Sequence, residues 1–388
     1  MNTINKYEPA TNSRAGDKYN PTPHANTVDN HNPTPHAGTS DNHNPTPHAT
    51  TVGNHNPTPH AGTSGNHNPT PHAGTSGNHN PTPHSTTAGN HNPTAHSRVI
   101  DIHAHTFPEK IAARAITSLQ AKSHTKAFTD GTIESLSRSM HEAGITYSVI
   151  QPVATNPKQV IHVNDSSIAI NESFSRTGIM SFGAMHPDFE GYAAELERLS
   201  RSGIKGIKLH PVYQGVRADD ERYINILRKA GELGMIVLLH AGYDIGFPGN
   251  DYALPEKIAA ALRESGDVRV ILAHMGGWKS WREAEEVFSR GNVYIDTAFS
   301  LGEFMPLDDG YYASREECRM LSGEEFVSMV RSFGAERVLF GTDSPWASQS
   351  ETLRKIDSLP LTEAEKRRIY YDNTAHMLSL GHSKFPNN

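Results

Sequence analysis

The chain has 388 residues, a formal net charge of −7 and one cysteine, Cys318, which excludes an internal disulfide and a cysteine-based structural zinc site. Whole-chain averages conceal a break near residue 97: residues 1–97 carry 3 Lys/Arg and 4 Asp/Glu, leaving about minus six on residues 98–388. No basic stripe argues for nucleic acid, no apolar run reaches the roughly 18 residues of a membrane helix, and the polar N-terminus lacks an apolar leader core, so we read a soluble, cytoplasmic protein.

After a polar segment over residues 1–20, a twelve-residue unit repeats six times from Pro21 to Asn92. Each copy is Pro-Thr-Pro-His, five mostly small residues, then Asn-His-Asn; a degraded copy, Pro93-Thr94-Ala95-His96, ends the array. Apart from two valines, residues 21–97 offer no aliphatic side chain larger than alanine and no aromatic. They cannot bury enough surface to offset chain entropy, and disorder is expected. Thirteen of the 24 histidines lie here, which invites a metal-binding reading. His31 and His36, however, flank Asn-Pro-Thr-Pro, and in polyproline II, at about 3.1 Å per residue, they stand roughly 15 Å apart. The array is expected to act as an expanded spacer, with weak zinc or nickel binding as the second reading.

From Arg98 onward, β-branched runs alternate with amphipathic stretches, the order of a parallel sheet. Eight strands are predicted: 99–103, 145–151, 178–185, 204–209, 235–239, 268–273, 292–296 and 337–341. Between the fourth and fifth, Asp219 and Asp220 start a helix whose buried stripe is Tyr223, Leu227 and Ala230. Eight strand–helix pairs over residues 98–388 fit a (β/α)8 TIM barrel, with its active site at the carboxyl ends of the strands. A doubly wound open sheet explains the alternation equally well, but no Gly-rich phosphate fingerprint comes after the first strand.

That strand runs instead into His103-Ala104-His105. Alternation in an extended strand turns both imidazoles to one side, where they can reach one metal ion at about 2.0–2.1 Å. Other apolar runs also end in groups that do chemistry: Lys208 and His210 after the fourth, His240 after the fifth, His274 after the sixth, Asp343 after the eighth. A single histidine after an apolar run is more often just hydrogen-bonded; delivered jointly to one rim, these residues read as a metal site. His186 reads as structural, and Asp296 as support for the ligands. His124, His141 and His162 have no case beyond composition. The connection from Phe299 to Leu321 is long enough to cover a site, and Trp278 and Trp346 are placed to wall one.

Five segments, Asp101-Ile102-His103-Ala104-His105, Lys208-Leu209-His210-Pro211, His240-Ala241-Gly242, His274-Met275-Gly276-Gly277 and Gly341-Thr342-Asp343-Ser344-Pro345-Trp346, resemble the amidohydrolase superfamily. The likeness is greatest to the branch of aminocarboxymuconate-semialdehyde decarboxylase and related metal-dependent hydrolases, and it runs from Arg98 to about Gly381. The resemblance implies one divalent ion, zinc in the first instance, held by His103, His105, His240 and Asp343 with a water. It also implies His274 as acid/base, with Asp343 able to share that role, and Lys208, His210 and Trp346 as groups that bind substrate or support the ligands. A carboxylated Lys208 bridging two ions is the alternative. The expected activity is hydrolysis of an amide, ester or lactone of a small organic substrate by a metal-bound hydroxide. Non-oxidative decarboxylation of an aromatic or unsaturated acid is the second reading. A His-rich metal-binding or adhesive module on an inactive barrel is a third. No nucleic-acid or membrane partner is expected, and a homo-oligomer is left open.

Overall fold

A computed structural model of the chain describes residues 98–380; residues 1–97, with the disorder expected of the repeats, and residues 381–388 lie outside the described residues. Strand segments run in the predicted order: β1 (Ile100–Ala104), β2 (Tyr147–Ile150), β3 (Ile179–Ser181), β4 (Gly183–Ala184), β5 (Gly206–Leu209), β6 (Ile236–Leu239), β7 (Arg269–Leu272), β8 (Tyr294–Asp296) and β9 (Val338–Leu339). Every neighbouring pair is parallel. β3 and β4 are one stave interrupted at Phe182, whose N–H still donates to Ile150 O at 2.9 Å. The cylinder closes between its ends: Ile102 N–H donates to Phe340 O at 2.9 Å and Asp343 N–H to His103 O at 2.7 Å. The fold is therefore the (β/α)8 barrel, and the open-sheet alternative is removed by this closure. No described helix is long and apolar enough to cross a membrane.

The helices are those the periodicity asks for. In Glu221–Glu232, Asp220 caps the start by accepting from Arg222 N at 3.0 Å, and Tyr223, Leu227 and Ala230 are buried. Such a face holds the helix to the sheet; Leu227, 1% exposed, contributes about 2 kcal/mol by its burial.

Packing separates the two faces of each strand. Val237, Leu239, Val270 and Leu272 join the layer between sheet and helices, whereas Ile236, Leu238, Ile271 and Ala273 fill the barrel interior with Ile102, Val149, Phe182 and Leu339. This alternation carries Lys208 and His210 after Ile207, and His240 after Leu238, inward at the mouth.

At two positions simple alternation is broken. The β1–β2 register shifts between Asp101 and Ala104, three steps on β1 facing two on β2, as at a β-bulge. Upstream of the shift Asp101 points to the outer layer and accepts from Gln349 Nε2 at 2.7 Å and Thr342 Oγ1 at 2.6 Å. Beyond it His103 points inward although Ile102 does so too, the re-aiming that bulges perform beside active sites. His274 comes after the inward Ala273 and by alternation would face outward; its φ of 61°, left-handed for a non-glycine residue, turns it into the mouth instead. Asp343 likewise has φ 67°. Backbone strain of roughly 1–3 kcal/mol per residue at such positions marks them as held for a purpose other than stability.

Gly242 lets the loops after β6 and β7 pass in contact. Its φ is +87°, and a Cβ there would lie 2.2 Å from Trp278 N and 2.4 Å from Trp278 O. Gly242→Ala is expected to cost about 3 kcal/mol or more, from strain plus overpacking, read as a lower urea midpoint; an unchanged midpoint contradicts the close approach.

Candidate metal centre

Six buried or nearly buried side chains meet at the carboxyl end of the barrel. His103 Nε2 stands 3.1 Å from His105 Nε2 and 3.4 Å from Asp343 Oδ1, and His105 Nε2 is 3.0 Å from the same oxygen. Lys208 extends Nζ to 3.1 Å from His103 Nε2. On the other side, His274 Nε2 faces His240 Nδ1 at 3.2 Å. The predicted residues of strands one, four, five, six and eight are thus brought to one place.

Protons on the rings can be assigned from the groups that accept them. Asp296, fully buried, takes the His103 Nδ1–H on Oδ2 at 2.8 Å and the His274 N–H on Oδ1 at 2.8 Å. His103 Nε2 then carries no proton, because burial first and Lys208 next hold this imidazole well below its ordinary pKa, and it accepts from Lys208 Nζ at 3.1 Å. His274 Nδ1–H donates to Ala298 O at 3.0 Å and His240 Nε2–H to Tyr243 O at 3.2 Å. The facing atoms, His274 Nε2 and His240 Nδ1, are therefore also bare, and burial keeps both rings from protonating. The lone pairs of His274 Nε2 and His240 Nδ1, set against one another at 3.2 Å, are repulsive unless a cation sits between them. This donor set fits a divalent ion with nitrogen and oxygen ligands.

The carboxylates behave differently. Burial alone would raise Asp343, but its hydrogen bond with His105 and the imidazoles around it hold it down to about 2, so it stays ionised. Asp244, on the loop after β6, is raised by burial to about 7. Burial also lowers Lys208 to about 8 and raises Asp296.

Proximity sorts the ligand-type atoms into overlapping groups, each within 4.8 Å: His103, His105 and Asp343; His103, His274 and Asp296; and His210, His240 and Asp244. His240 enters the last of these groups, reaching the first cluster through His274. Asp244 was not legible in the sequence; only its spacing of four from His240 hints at it. His162, expected to have no case beyond composition, lines the same cavity because the helix Val160–Glu172 begins at the rim. His186 Nδ1 accepts from Asp188 N at 3.1 Å, and the residue is not among those that line the cavity.

The cavity measures about 460 Å³ and pairs the polar floor with an aromatic wall that includes Phe107, Tyr213, Trp278, Phe299 and Trp346. No arginine is among its described lining residues, and Lys208 is its one lysine. A larger cavity of about 900 Å³ lies under the 299–321 connection and shares Phe299 and Trp346 with it. It holds no histidine, so the chemistry belongs to the smaller one. The long connection covers this side, latched by Tyr312 Oη donating to Ser123 O at 2.8 Å.

Burial gives the metal-free domain a pH dependence. His103, His186, His210, His240 and His274 all sit below the ordinary value of 6.5. Their contribution is complete above pH 6.5 and is lost as pH falls, at about 1.4 kcal/mol per unit for each group. Asp101, raised by burial to about 6, Asp244 to about 7, and Asp296 work oppositely, adding stability as pH falls through their values. Five imidazoles against three carboxyls leave a net loss, so the urea midpoint of chelator-treated protein is expected to fall between pH 6.5 and 5. A flat or rising midpoint contradicts this.

A sequence model of the amidohydrolase family matches residues 100–380. No curated protein matches the chain. Among solved structures, an uncharacterised TIM-barrel protein from Bordetella bronchiseptica is similar at 19% identity and a TM-score of 0.55, covering 73% of this chain and 98% of that one. A dihydroxybenzoic acid decarboxylase from Polaromonas sp. JS666, with bound manganese and the inhibitor 2-nitroresorcinol, is similar at 15% identity and a TM-score of 0.51, covering 73% and 97%. A 2,6-dihydroxybenzoate decarboxylase from Rhizobium gives 15%, 0.50, 73% and 99%. At these identities the likeness is one of fold.

Proposed function

Because the chain belongs to the amidohydrolase family, we propose that it is a divalent-metal-dependent hydrolase that opens an amide, ester or lactone of a small organic substrate. One observation carries the reading: His103 Nε2, His105 Nε2 and Asp343 Oδ1 converge within 3.4 Å of one another at the floor of an aromatic-walled cavity. These three and His240 would hold one ion, zinc in the first instance. When bound, the ion supplies Lewis-acid polarisation of a substrate oxygen and a lowered pKa for water.

The chain's own groups do the rest. His274 Nε2, neutral because burial opposes its protonation, accepts a proton from the attacking water and returns it to the leaving group. Asp343, ionised, is the second acceptor within reach. Lys208 Nζ is the cation available to a substrate carboxylate or carbonyl. Phe299, Trp278 and Trp346 exclude water and stack on a planar substrate.

The second reading is non-oxidative decarboxylation of an aromatic or unsaturated acid. It is favoured by the aromatic wall around a single lysine, and by the dihydroxybenzoate decarboxylases that share the fold. Assays of carbon dioxide release from aromatic carboxylates, set beside pH-stat assays of ester and lactone opening, separate the two. Turnover only in the first moves the assignment to a carboxy-lyase, and turnover in neither, with metal loaded, removes both.

We assign residues 21–97 as an expanded spacer, with weak zinc or nickel binding as the second reading, beside a catalytic domain over 98–388 in a cytoplasmic protein. Deleting residues 1–97 is expected to leave turnover within about twofold and to abolish low-affinity zinc binding. Turnover that disappears with the arm contradicts the division and revives the arm as the active module.

A further inference from the structure

The mouth contains one carboxylate to which the proposed chemistry gives no role. Asp244 is 9% exposed, and its Oδ1 accepts from Gly246 N at 2.8 Å. Its Oδ2 faces His210 Nε2 at 3.6 Å and His240 Nε2 at 3.7 Å. Among the described residues these imidazoles are its basic partners within 4 Å. The two rings are stacked, 4.0 Å between centroids and 10° from parallel, so that both Nε2 atoms present the same edge to the carboxylate.

The far sides of the rings explain why. His240 Nδ1 faces His274 Nε2 at 3.2 Å, and His210 Nδ1 faces the Tyr213 N–H at 3.5 Å. For His240 the useful tautomer is the one with its proton on Nε2, since only that leaves Nδ1 bare toward the cluster. Tyr243 O accepts this Nε2–H at 3.2 Å; Asp244 Oδ2, at 3.7 Å, stands beyond hydrogen-bond distance and adds the field of a buried carboxylate at the same edge of the ring. Tyr213 N–H biases His210 the same way, toward Nε2–H. Two N–H dipoles then converge on one oxygen.

We propose that Asp244 is a positioning residue: facing the stacked pair His210 and His240, it acts with Tyr243 O to hold the proton of His240 on Nε2 and keep Nδ1 free toward His274 and the centre. Asp244 lies behind a histidine proposed to face the metal, as do the outer carboxylates whose loss typically costs 10- to 100-fold in metal affinity, but it acts across 3.7 Å without a direct hydrogen bond. The same three residues, within 4.8 Å of one another, also have the composition of a separate cation site. The proton assignment opposes that use, since both Nε2 atoms carry hydrogen toward Asp244.

The affinity consequence rests on the metal centre proposed for this family member; the proton of the His240 ring does not, and it is testable in the metal-free chain, independently of turnover. Nitrogen-15 NMR of the full chain, with His240 assigned by difference from His240→Gln, is expected to show Nε2 protonated and Nδ1 bare. In Asp244→Ala the ring should become a mixture of tautomers, and in Asp244→Asn, which keeps an acceptor of the same shape, the change should be smaller. Zinc affinity, measured by competition with a chelator that outbids the arm, should fall about 10- to 100-fold in Asp244→Ala, while the urea midpoint holds or rises because an unneutralised buried charge has gone. A merely structural role would lower the midpoint and leave the tautomer alone. An unchanged His240 tautomer in Asp244→Ala overturns the proposal. So does a wild-type chain that binds two tight ions, of which Asp343→Ala loses one and Asp244→Ala the other, which would make this a second cation site. If no tight ion binds at all, the metal reading fails while the tautomer result still judges Asp244.

Discussion

His274→Ala is expected to lower kcat by about 10²- to 10⁴-fold with metal content and fold unchanged. The imidazole lies at the end of β7 with its Nδ1–H tied to Ala298 O and its N–H to Asp296, so Nε2 is the free atom at the mouth. Removing it deletes a proton acceptor without removing the ligands His103, His105 and Asp343. The φ of 61° offers no relief in this variant, since alanine keeps the Cβ that makes the left-handed conformation costly. Steady-state kinetics with elemental analysis on the same sample is the check. Full activity in His274→Ala would remove this residue from the mechanism under either reaction.

His103→Ala is expected to remove the ion and, with it, at least about a thousandfold of turnover, the scale of the several kcal/mol that Lewis-acid stabilisation supplies. His103 lies at the middle of the cluster: Nδ1 on Asp296, Nε2 within 3.4 Å of His105, Lys208 and Asp343. Excess zinc should not restore activity, because the truncation also leaves the buried Asp296 carboxylate without its imidazole donor. Partial rescue by high zinc would instead say that His105, Asp343 and His240 suffice as ligands.

The strand order and the rim positions were legible because strands of four or five apolar residues end abruptly at polar groups that repay no burial cost unless they act together. All eight predicted strands have counterparts, and the long connection from Phe299 to Leu321 does border the cavity through Phe299. Rotation about the strand axis was not legible. Asp101 shares the HxH spacing yet faces the outer helix through Gln349, because the register shift that separates it from His103 is a backbone event without a sequence signature. His274 would face the helices were it not for its left-handed backbone, which the nearby Gly276-Gly277 permits but does not dictate.

Loop residues were harder still. Asp244 comes to His210 and His240 because the loop after β6 folds back, Gly242 touching Trp278 and Asp244 turning on the Gly246 N–H. No periodicity encodes that. The aromatic wall was half visible: Trp278 and Trp346 come directly after ligand motifs in sequence, whereas Phe107 reaches the cavity from a loop and Tyr213 from the short helix Pro211–Gln214, whose directions only tertiary packing sets. His162 is illegible for the same reason, since a histidine in a helix has no strand end to recommend it.

The most direct test of the metal centre is elemental mass spectrometry of the full chain, stripped by chelator, reloaded with zinc and dialysed, beside His103→Ala and Asp343→Ala treated identically. The histidines of residues 21–97 contribute equally to all three samples and cancel in the difference. The wild-type chain should hold about one zinc more than either variant. Equal zinc in all three, with the barrel folded, would contradict an ion held by His103, His105 and Asp343.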